Sequence, residues 1–273
     1  MGKKIKHILG ISGGKDSSAL AVYMRDKIPD AEYFFCDTGV ELDEIYDYLA
    51  QLEIFLGKPI KRLLPKKSFD DHLKINGFYL PSQRMRWCTV QLKLKPLEEY
   101  MNSFVDADEV INYVGIRADE DNRKGYQKPN SNVRSVFPFV EDGIDKEGVF
   151  KILREAGLGL PKYYDWRNRS GCFFCFFQRK SEWVGLHERH PDLFERAKAY
   201  EKFDEKTGKR FIWNQDESLE ELIRPERVAE IKAKLKENIE KEAAKNKNKP
   251  LHEVFASALD REDDTLPCQI CNL

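Results

Sequence analysis

The chain has 273 residues, 41% apolar and 34% charged, and 46 Lys and Arg balance 47 Asp and Glu for a formal net charge of −1. That length suits one large domain, or one domain with an appendage. No run of eighteen apolar residues exists, so no membrane-crossing helix is expected, and the near-zero charge excludes a global pull toward nucleic acid while leaving room for a local patch. Met1-Gly2-Lys3-Lys4 enters the first apolar run without a signal-peptide core, so a cytoplasmic location is expected.

The first half alternates strand and helix patterns. Strands are predicted at Ile5–Ile11, Ala31–Asp37, Pro59–Leu64, Glu109–Gly115 and Ser135–Val140. Between them, helical spacing covers Ser17–Asp26, Glu41–Phe55 and Gln91–Met101. Such alternation implies an α/β protein with a parallel sheet covered by helices, and ligands in that class sit beyond the carboxyl ends of the strands. Gly10–Ser17, Asp37-Thr38-Gly39 and Gly115–Asp119 all fall at such ends.

The second half changes character. A helix is predicted at Lys146–Ala156 and ends at Gly157–Pro161. A Cys-x-x-Cys lies among aromatics in Arg169–Gln178, and helices follow at His187–Phe203 and Arg224–Asn248. The last carries one apolar stripe, Val228, Ile231, Leu235 and Ile239, on an otherwise charged surface, which reads first as a solvated helix packed along that stripe. The division expected is a nucleotide-binding domain at residues 1–165 and a Cys-rich helical region at 166–273 packed on it.

The most informative stretch is Ser12-Gly13-Gly14-Lys15-Asp16-Ser17, between the first strand and the first helix. Paired glycines let backbone approach an anion with no Cβ in the way. Ser12, Ser17 and the free N–H groups of the new helix can donate to phosphate oxygens, aided by the helix dipole. The spacing is not that of a Walker A loop.

Six cysteines are present: Cys36, Cys88, Cys172, Cys175, Cys268 and Cys271. Two Cys-x-x-Cys pairs in a cytosolic chain read as metal or redox chemistry. Three arrangements are open. Cys88, Cys172 and Cys175 could hold a 4Fe–4S cluster with Cys268 or Cys271 as fourth ligand. The two pairs could instead hold zinc. Alternatively, three cysteines could hold a cluster with one open iron, the tail pair then carrying sulfur. Cys36, in an apolar strand, reads as a buried small hydrophobe. Arg84, Arg86 and Lys93 are spaced to line a channel between nucleotide and cluster.

These stretches together resemble the PAPS reductase and PP-loop ATP pyrophosphatase superfamily. The loop at Ser12–Ser17 resembles its SGGxDS motif. Cys36-Asp37-Thr38-Gly39 with Glu41 resembles its DTGxE segment, and Arg86-Trp87-Cys88 with Lys93 and Pro96-Leu97 its R-x-C-x-x-x-K-x-x-P-L segment. Gly115-Ile116-Arg117-Ala118-Asp119-Glu120 resembles G-I-R-x-x-E. Arg169-Ser170-Gly171-Cys172 through Cys175 resembles R-x-G-C-x-x-C, with Trp183, His190 and Pro191 continuing the pattern.

The resemblance implies a Rossmann-like, doubly wound, mostly parallel sheet of the adenine nucleotide α-hydrolase type with a C-terminal helical, Cys-containing extension. It implies that Ser12, Gly13, Gly14, Lys15, Asp16, Ser17, Asp37, Thr38, Gly115 and Arg117 bind ATP, or PAPS or APS. Lys15, Asp16, Arg117 and Cys88 are the expected catalytic groups, with Asp16 able to reach Mg²⁺. Two departures weaken a direct reductase reading: Trp87-Cys88 stands where iron–sulfur reductases have two cysteines, and the tail lacks their catalytic cysteine motif. The pattern is nearer the branch of DNA-phosphorothioation sulfur transfer and its phage-type relatives. The reading is an ATP-dependent adenylating sulfurtransferase. A thiol-dependent PAPS or APS reductase and a nucleotide-binding subunit of a defence or nucleic-acid modification complex are the alternatives. A sulfur donor such as a cysteine desulfurase, and a nucleic-acid substrate or complex partner, are the partners this implies.

Overall fold

Five parallel strands form one sheet in the order β3-β2-β1-β4-β5, where β1 is Ile5–Gly10, β2 Glu32–Cys36, β3 Ile60–Leu63, β4 Glu109–Tyr113 and β5 Val133–Val136. The computed structural model describes residues 3–120, 123, 132–205, 208–214, 216–245, 250, 253–255 and 258. Helices α1 (Lys15–Met24) and α2 (Asp43–Leu56) follow β1 and β2. The chain then passes through α3 (Phe69–Ile75), α4 (Trp87–Thr89) and α5 (Lys95–Asn102) before β4. Strand order reverses at β1, which pairs β2 on one side and β4 on the other, from Ile5↔Glu109 to Leu9↔Tyr113. The crevice past the carboxyl ends of β1 and β4 is therefore the switch point where a ligand binds in such sheets.

The alternation of side chains along the strands gives the sheet two buried faces. Leu9, Tyr33, Phe35 and Ile111 enter one core with α1, α2 and the C-terminal helices. Ile8, Phe34, Cys36, Leu63 and Val110 enter another, covered by Leu97, Tyr100 and Met101 of α5. The first core continues through Trp183, Phe194, Trp213, Leu219 and Ile231, so one apolar cluster reaches from the sheet into the C-terminal half. That half holds α6 (Pro138–Glu141), α7 (Lys146–Glu155), α8 (Lys180–Arg189), α9 (Pro191–Lys198), the antiparallel pair β6 (Lys202–Asp204) and β7 (Lys209–Phe211), α10 (Leu219–Leu222) and α11 (Pro225–Lys245).

Three elements depart from the sequence reading. The strand expected at Ser135–Val140 ends at Val136, because Pro138 fixes φ at the first turn of α6. The helix expected at His187–Phe203 is two helices, broken where His190 (φ −134°) precedes Pro191, and Phe203 belongs to β6. The helix expected at Gln91–Met101 begins at Trp87 and passes through a π turn at Val90–Leu94. Pro96 cannot donate to the carbonyl four residues back and its ring crowds it, and the ladder widens there, with Lys95 N–H donating to Val90 O. The helix expected to Asn248 runs to Lys245, and its stripe turns inward at Ile231; residues 246–248 lie outside the described residues.

Candidate functional site: a phosphate loop joined to a cysteine turn

The loop after β1 is built for close approach. Gly13 takes φ +74°, and a Cβ on Gly14 would stand 2.9 Å from Ser170 Oγ and 3.3 Å from Ser12 Oγ. Gly115, just past β4, lies so close that a Cβ would meet the Asp16 carbonyl at 3.0 Å. The two rims of the crevice thus touch at a glycine.

Three serine hydroxyls form a chain across the loop. Ser12 Oγ lies 3.0 Å from Ser17 Oγ and accepts from Ser170 Oγ at 3.1 Å, and Ser17 Oγ also accepts from Ser12 N–H at 3.0 Å. Tyr163 and Tyr164 brace the same loop from the 3₁₀ turn at Lys162–Asp165. The Tyr163 hydroxyl donates to Gly13 O at 2.8 Å, and Lys15 N–H donates to the Tyr164 hydroxyl at 3.1 Å. Hydroxyls and amides gathered at a helix N-terminus are the groups that suit a phosphate.

Charge is concentrated beside them. Asp16 is buried, with Lys15 Nζ 3.2 Å from Oδ2 and Arg117 Nη1 3.0 Å from Oδ1. Burial alone would raise its pKa, but Lys15 and Arg117 overcome that and hold it at about 2. Burial would lower the Arg117 pKa, yet Asp16, Asp119 and Glu120 keep it raised. The guanidinium reaches Asp119 through Nε at 2.8 Å and Nη2 at 3.2 Å as well as Asp16. Arg117 is therefore not a surface ion-pair residue alone: it bridges the loop after β4 to the loop after β1. Asp16 is an ionised carboxylate beside the glycine loop, a donor of the kind that suits Mg²⁺.

Asp37 and Thr38 sit elsewhere on the rim. Asp37 Oδ1 accepts from Gly39 N–H at 2.9 Å and from the Tyr46 hydroxyl at 2.8 Å, and Arg62 Nη1 is 3.4 Å from Oδ2. Thr38 Oγ1 donates to Glu41 Oε1 at 2.8 Å and lies 3.3 Å from Cys172 Sγ. The segment after β2 therefore meets the first Cys-x-x-Cys.

The cysteine turn is held rigidly. Buried Arg167 donates to Gly171 O at 3.2 Å and Cys172 O at 3.0 Å, Gly171 takes φ +140°, and Cys175 N–H donates to Cys172 O at 3.1 Å. Cys175 lies within electrostatic range of both Cys172 and Cys88, and Lys93 is a cation beside the same sulfurs. Burial pushes the Cys88 thiol up to about 12, and it pushes Cys172 up as well. Among the described residues, no group of three or more Cys, His, Asp or Glu side chains converges as a single metal ion requires. Three thiols linked through Cys175, with Lys93 beside them, are the donor type of an iron–sulfur cluster, whose thiolates bind separate irons. Cys268 and Cys271 lie outside the described residues. Cys36 faces the other core, where its thiol lies 3.7 Å from Lys93 O and burial pushes its pKa up to about 12, as expected for a packing residue.

Of the channel candidates, Arg86 lies 5.0 Å over the Phe177 ring, Lys93 lies at the cysteines, and Arg84 is exposed. His190 pairs with Glu44 at 2.8 Å and packs by Trp166, a structural role at the α8–α9 break. Ser170, Tyr163, Tyr164 and Glu41 belong to the site without having been assigned to it from sequence.

A doubly wound sheet with a serine–glycine loop at its switch point defines an α/β protein of the PP-loop type. The profile of the phosphoadenosine phosphosulfate reductase domain matches residues 6–143, and the chain belongs to that family. It is 28% identical over 250 residues to an uncharacterized protein of Methanocaldococcus jannaschii, covering 84% of this chain and 55% of that one. A second uncharacterized protein of that archaeon is 27% identical over 206 residues, covering 71% of this chain and 41% of the other. The chain thus spans about half the length of these archaeal relatives. An uncharacterized 37.8 kDa protein of Escherichia phage 186 is 25% identical over 265 residues, covering 72% and 74%. Among solved structures, the PAPS reductase of Candida auris in its phosphate complex shares the fold, with a TM-score of 0.50 at 14% identity, covering 62% of this chain and 82% of that one. Among the described residues no helix is long and apolar enough to cross a membrane.

Proposed function

We propose that the chain is a PP-loop enzyme that cleaves ATP between the α and β phosphates to adenylate a substrate oxygen, and then directs sulfur to the activated position. The observation that carries this reading is the direct joining of the phosphate loop to the cysteine turn. Ser12 and Ser170 share a hydrogen bond at 3.1 Å, and Cys172 follows Ser170 by two residues. A nucleotide phosphate on the loop and a sulfur at the turn would be neighbours in one crevice.

In this reading Ser12, Ser17 and the first amides of α1 hold phosphate, Lys15 and Arg117 offset its charge, and Asp16 offers an ionised oxygen to Mg²⁺. The acceptor oxygen bonds to the α-phosphorus as pyrophosphate leaves, and a sulfur nucleophile then displaces AMP. Adenylation turns a poor oxygen leaving group into a good one, and a soft thiolate or persulfide is the matched attacker. A cluster held by Cys88, Cys172 and Cys175, completed by Cys268 or Cys271, would supply or bind that sulfur. Buried surroundings leave unligated Cys88 and Cys172 as neutral thiols, so a metal partner is what would make them thiolates.

The test is the product of ATP with the anaerobically purified chain and Mg²⁺. AMP and pyrophosphate support the reading; ADP and phosphate overturn it. Sulfite released from PAPS or APS would instead make the chain a thiol-dependent reductase.

A further inference from the structure

Charge is unevenly spread along this chain. From Lys58 to Lys95 there are ten Lys and Arg against two acids, Asp70 and Asp71, an excess of eight positive charges. The whole chain carries −1, so everything outside that stretch carries −9. A basic stretch set against an acidic remainder is the electrostatic footprint of an anion-binding face. It holds β3, α3, Cys88, the π turn and the first residue of α5.

The fold gathers part of this charge round one opening. A cavity of about 240 Å³ lies just past the carboxyl end of β3. Lys66 and Lys67 line it from the loop before α3, His72 from α3, Gln91 from the π turn and Lys95 from α5. Glu99 also lines it, but its carboxylate is already taken by Lys66 Nζ at 2.7 Å. Lys67 and Lys95 are exposed, and neither has an acid within ion-pair distance among the described residues. Both act on the His72 ring: burial, Lys67 and Lys95 hold its pKa below the ordinary histidine value, with Asp71 opposing them. The ring nitrogens of His72 and the carboxamide of Gln91 have no hydrogen-bond partner among the described residues, and they keep accessible surface. Two unanswered ammonium groups, an imidazole and a carboxamide thus share one opening. An anion seated there removes the repulsion between them and takes up their donors.

The chemistry of the lining selects the anion. Lysines are point charges that suit phosphate oxygens, whereas the arginine fork that matches a carboxylate two oxygens at a time is absent from the described lining. The cavity is smaller than the usual ligand pocket of about 300–1,000 Å³, so it suits one phosphate of a larger molecule. Cations continue along α5, with Lys66 at Glu99 and Lys61 Nζ 4.6 Å over the Tyr100 ring. A row of lysines leading away from a single-phosphate cavity fits a chain of phosphates. The site is also separate from the Ser12–Ser17 loop, because β2 lies between β3 and β1 and puts roughly 10 Å of sheet between them.

We propose that this cavity seats a backbone phosphate of a nucleic-acid strand between Lys67, Lys95 and His72, with neighbouring phosphates running past Lys66 and Lys61. The site lies beside the cysteine segment: the His72 ring is 6.3 Å from that of Trp87, the residue before Cys88, and Gln91 follows Cys88 by three. As the acceptor in sulfur transfer the strand rests on the proposed function; as a phosphate site the cavity does not.

The test is fluorescence anisotropy of labelled 12-nucleotide RNA and DNA single strands with the full chain, without ATP. Saturable binding of either strand that weakens with salt is expected. Lys67→Gln with Lys95→Gln should weaken it at least tenfold and flatten the slope of log affinity against log salt by about 1.4, two phosphate contacts at about 0.7 each. Lys236→Gln with Lys241→Gln removes the same charge from exposed positions on α11 and should change affinity less than twofold. All four positions are exposed, so the melting temperatures should stay near that of the parent. The His72 ring-proton resonance, assigned by its loss in His72→Asn, should titrate at higher pH with the strand bound, because a phosphate favours the charged imidazole. No saturable binding, an equal loss in the α11 pair, an unmoved His72 titration, complete displacement by millimolar inorganic phosphate at constant ionic strength, or equal binding of polyglutamate would each overturn the proposal. Strand binding without AMP and pyrophosphate formation from ATP would sink the proposed function and leave this site standing; AMP and pyrophosphate formation without strand binding would do the reverse.

Discussion

Ser170 Oγ donates to Ser12 Oγ across 3.1 Å, joining residues 158 apart in the chain. The contact passes directly over Gly14, whose missing Cβ is what leaves room for both hydroxyls. Gly14→Ala is therefore expected to push Ser170 and Ser12 apart and weaken ATP binding at least tenfold. Because Gly14 has φ −92°, alanine suffers no backbone strain there, so the loss is steric. Removing the Ser170 hydroxyl relieves the closest contact, and Gly14→Ala with Ser170→Ala should recover part of the affinity. Isothermal titration of the four proteins in a double-mutant cycle measures this; strictly additive losses would show that the two sites do not meet.

Asp16 gives a prediction in pH. Its folded pKa of about 2 lies below the ordinary aspartate value of 3.8, so its pairing with Lys15 and Arg117 stabilises the fold above pH 3.8 and is lost as pH falls toward 2. The difference corresponds to about 2 kcal/mol at neutral pH. Asp16→Asn should therefore lower stability by roughly that amount at pH 7 and by much less near pH 2. Urea unfolding at several pH values reads this directly. A constant difference across that window would mean that Asp16 acts by packing and not by charge.

The local parts of this architecture were legible in the sequence because local rules generate them. β1, the Ser12–Ser17 turn and α1 follow from an apolar run, paired glycines and helical spacing, all within twenty residues. α3 was equally legible and was missed: Ser68 and Asp71 form a capping box at its start, a pattern visible before Phe69. The break at His190–Pro191 and the stop at Pro138 show prolines overriding periodicity. Other contacts had no sequence signature. Tyr163 reaches Gly13 across 150 residues and Cys172 reaches Thr38 across 134, and no spacing rule relates positions so far apart. Motif resemblance supplied the partners Asp16 and Arg117 but not their bond.

The cysteines divide by core. Cys88 and Cys172 each lie within electrostatic range of Cys175, whereas Cys36, although it also meets Lys93, packs with Phe34 and Val110 on the other face of the sheet. If a cluster is bound, anaerobically purified protein should contain about four iron and four sulfide per chain. Cys88→Ser, Cys172→Ser and Cys175→Ser should each lower both contents more than twofold, and Cys36→Ser should leave them unchanged. Equal loss in Cys36→Ser would argue that the substitutions act through folding. Zinc near one per chain without sulfide would replace the cluster with a structural ion.

Tyr163 supplies a prediction that separates positioning from binding. Its hydroxyl is fully buried and donates to Gly13 O at 2.8 Å, which holds the left-handed turn on which the phosphate loop depends. Tyr163→Phe keeps the ring that packs on Tyr164 and removes one donor, leaving the Gly13 carbonyl without it. The expected loss in stability is about 1–2 kcal/mol, the range for removing one partner of a buried hydrogen bond. The loop should then sample other conformations before ligand arrives, so ATP affinity should fall three- to tenfold. Saturating ATP should restore more melting temperature to Tyr163→Phe than to the parent protein, because ligand re-forms the turn. Equal thermal shifts in the two proteins would mean that Tyr163 stabilises the fold without organising the loop.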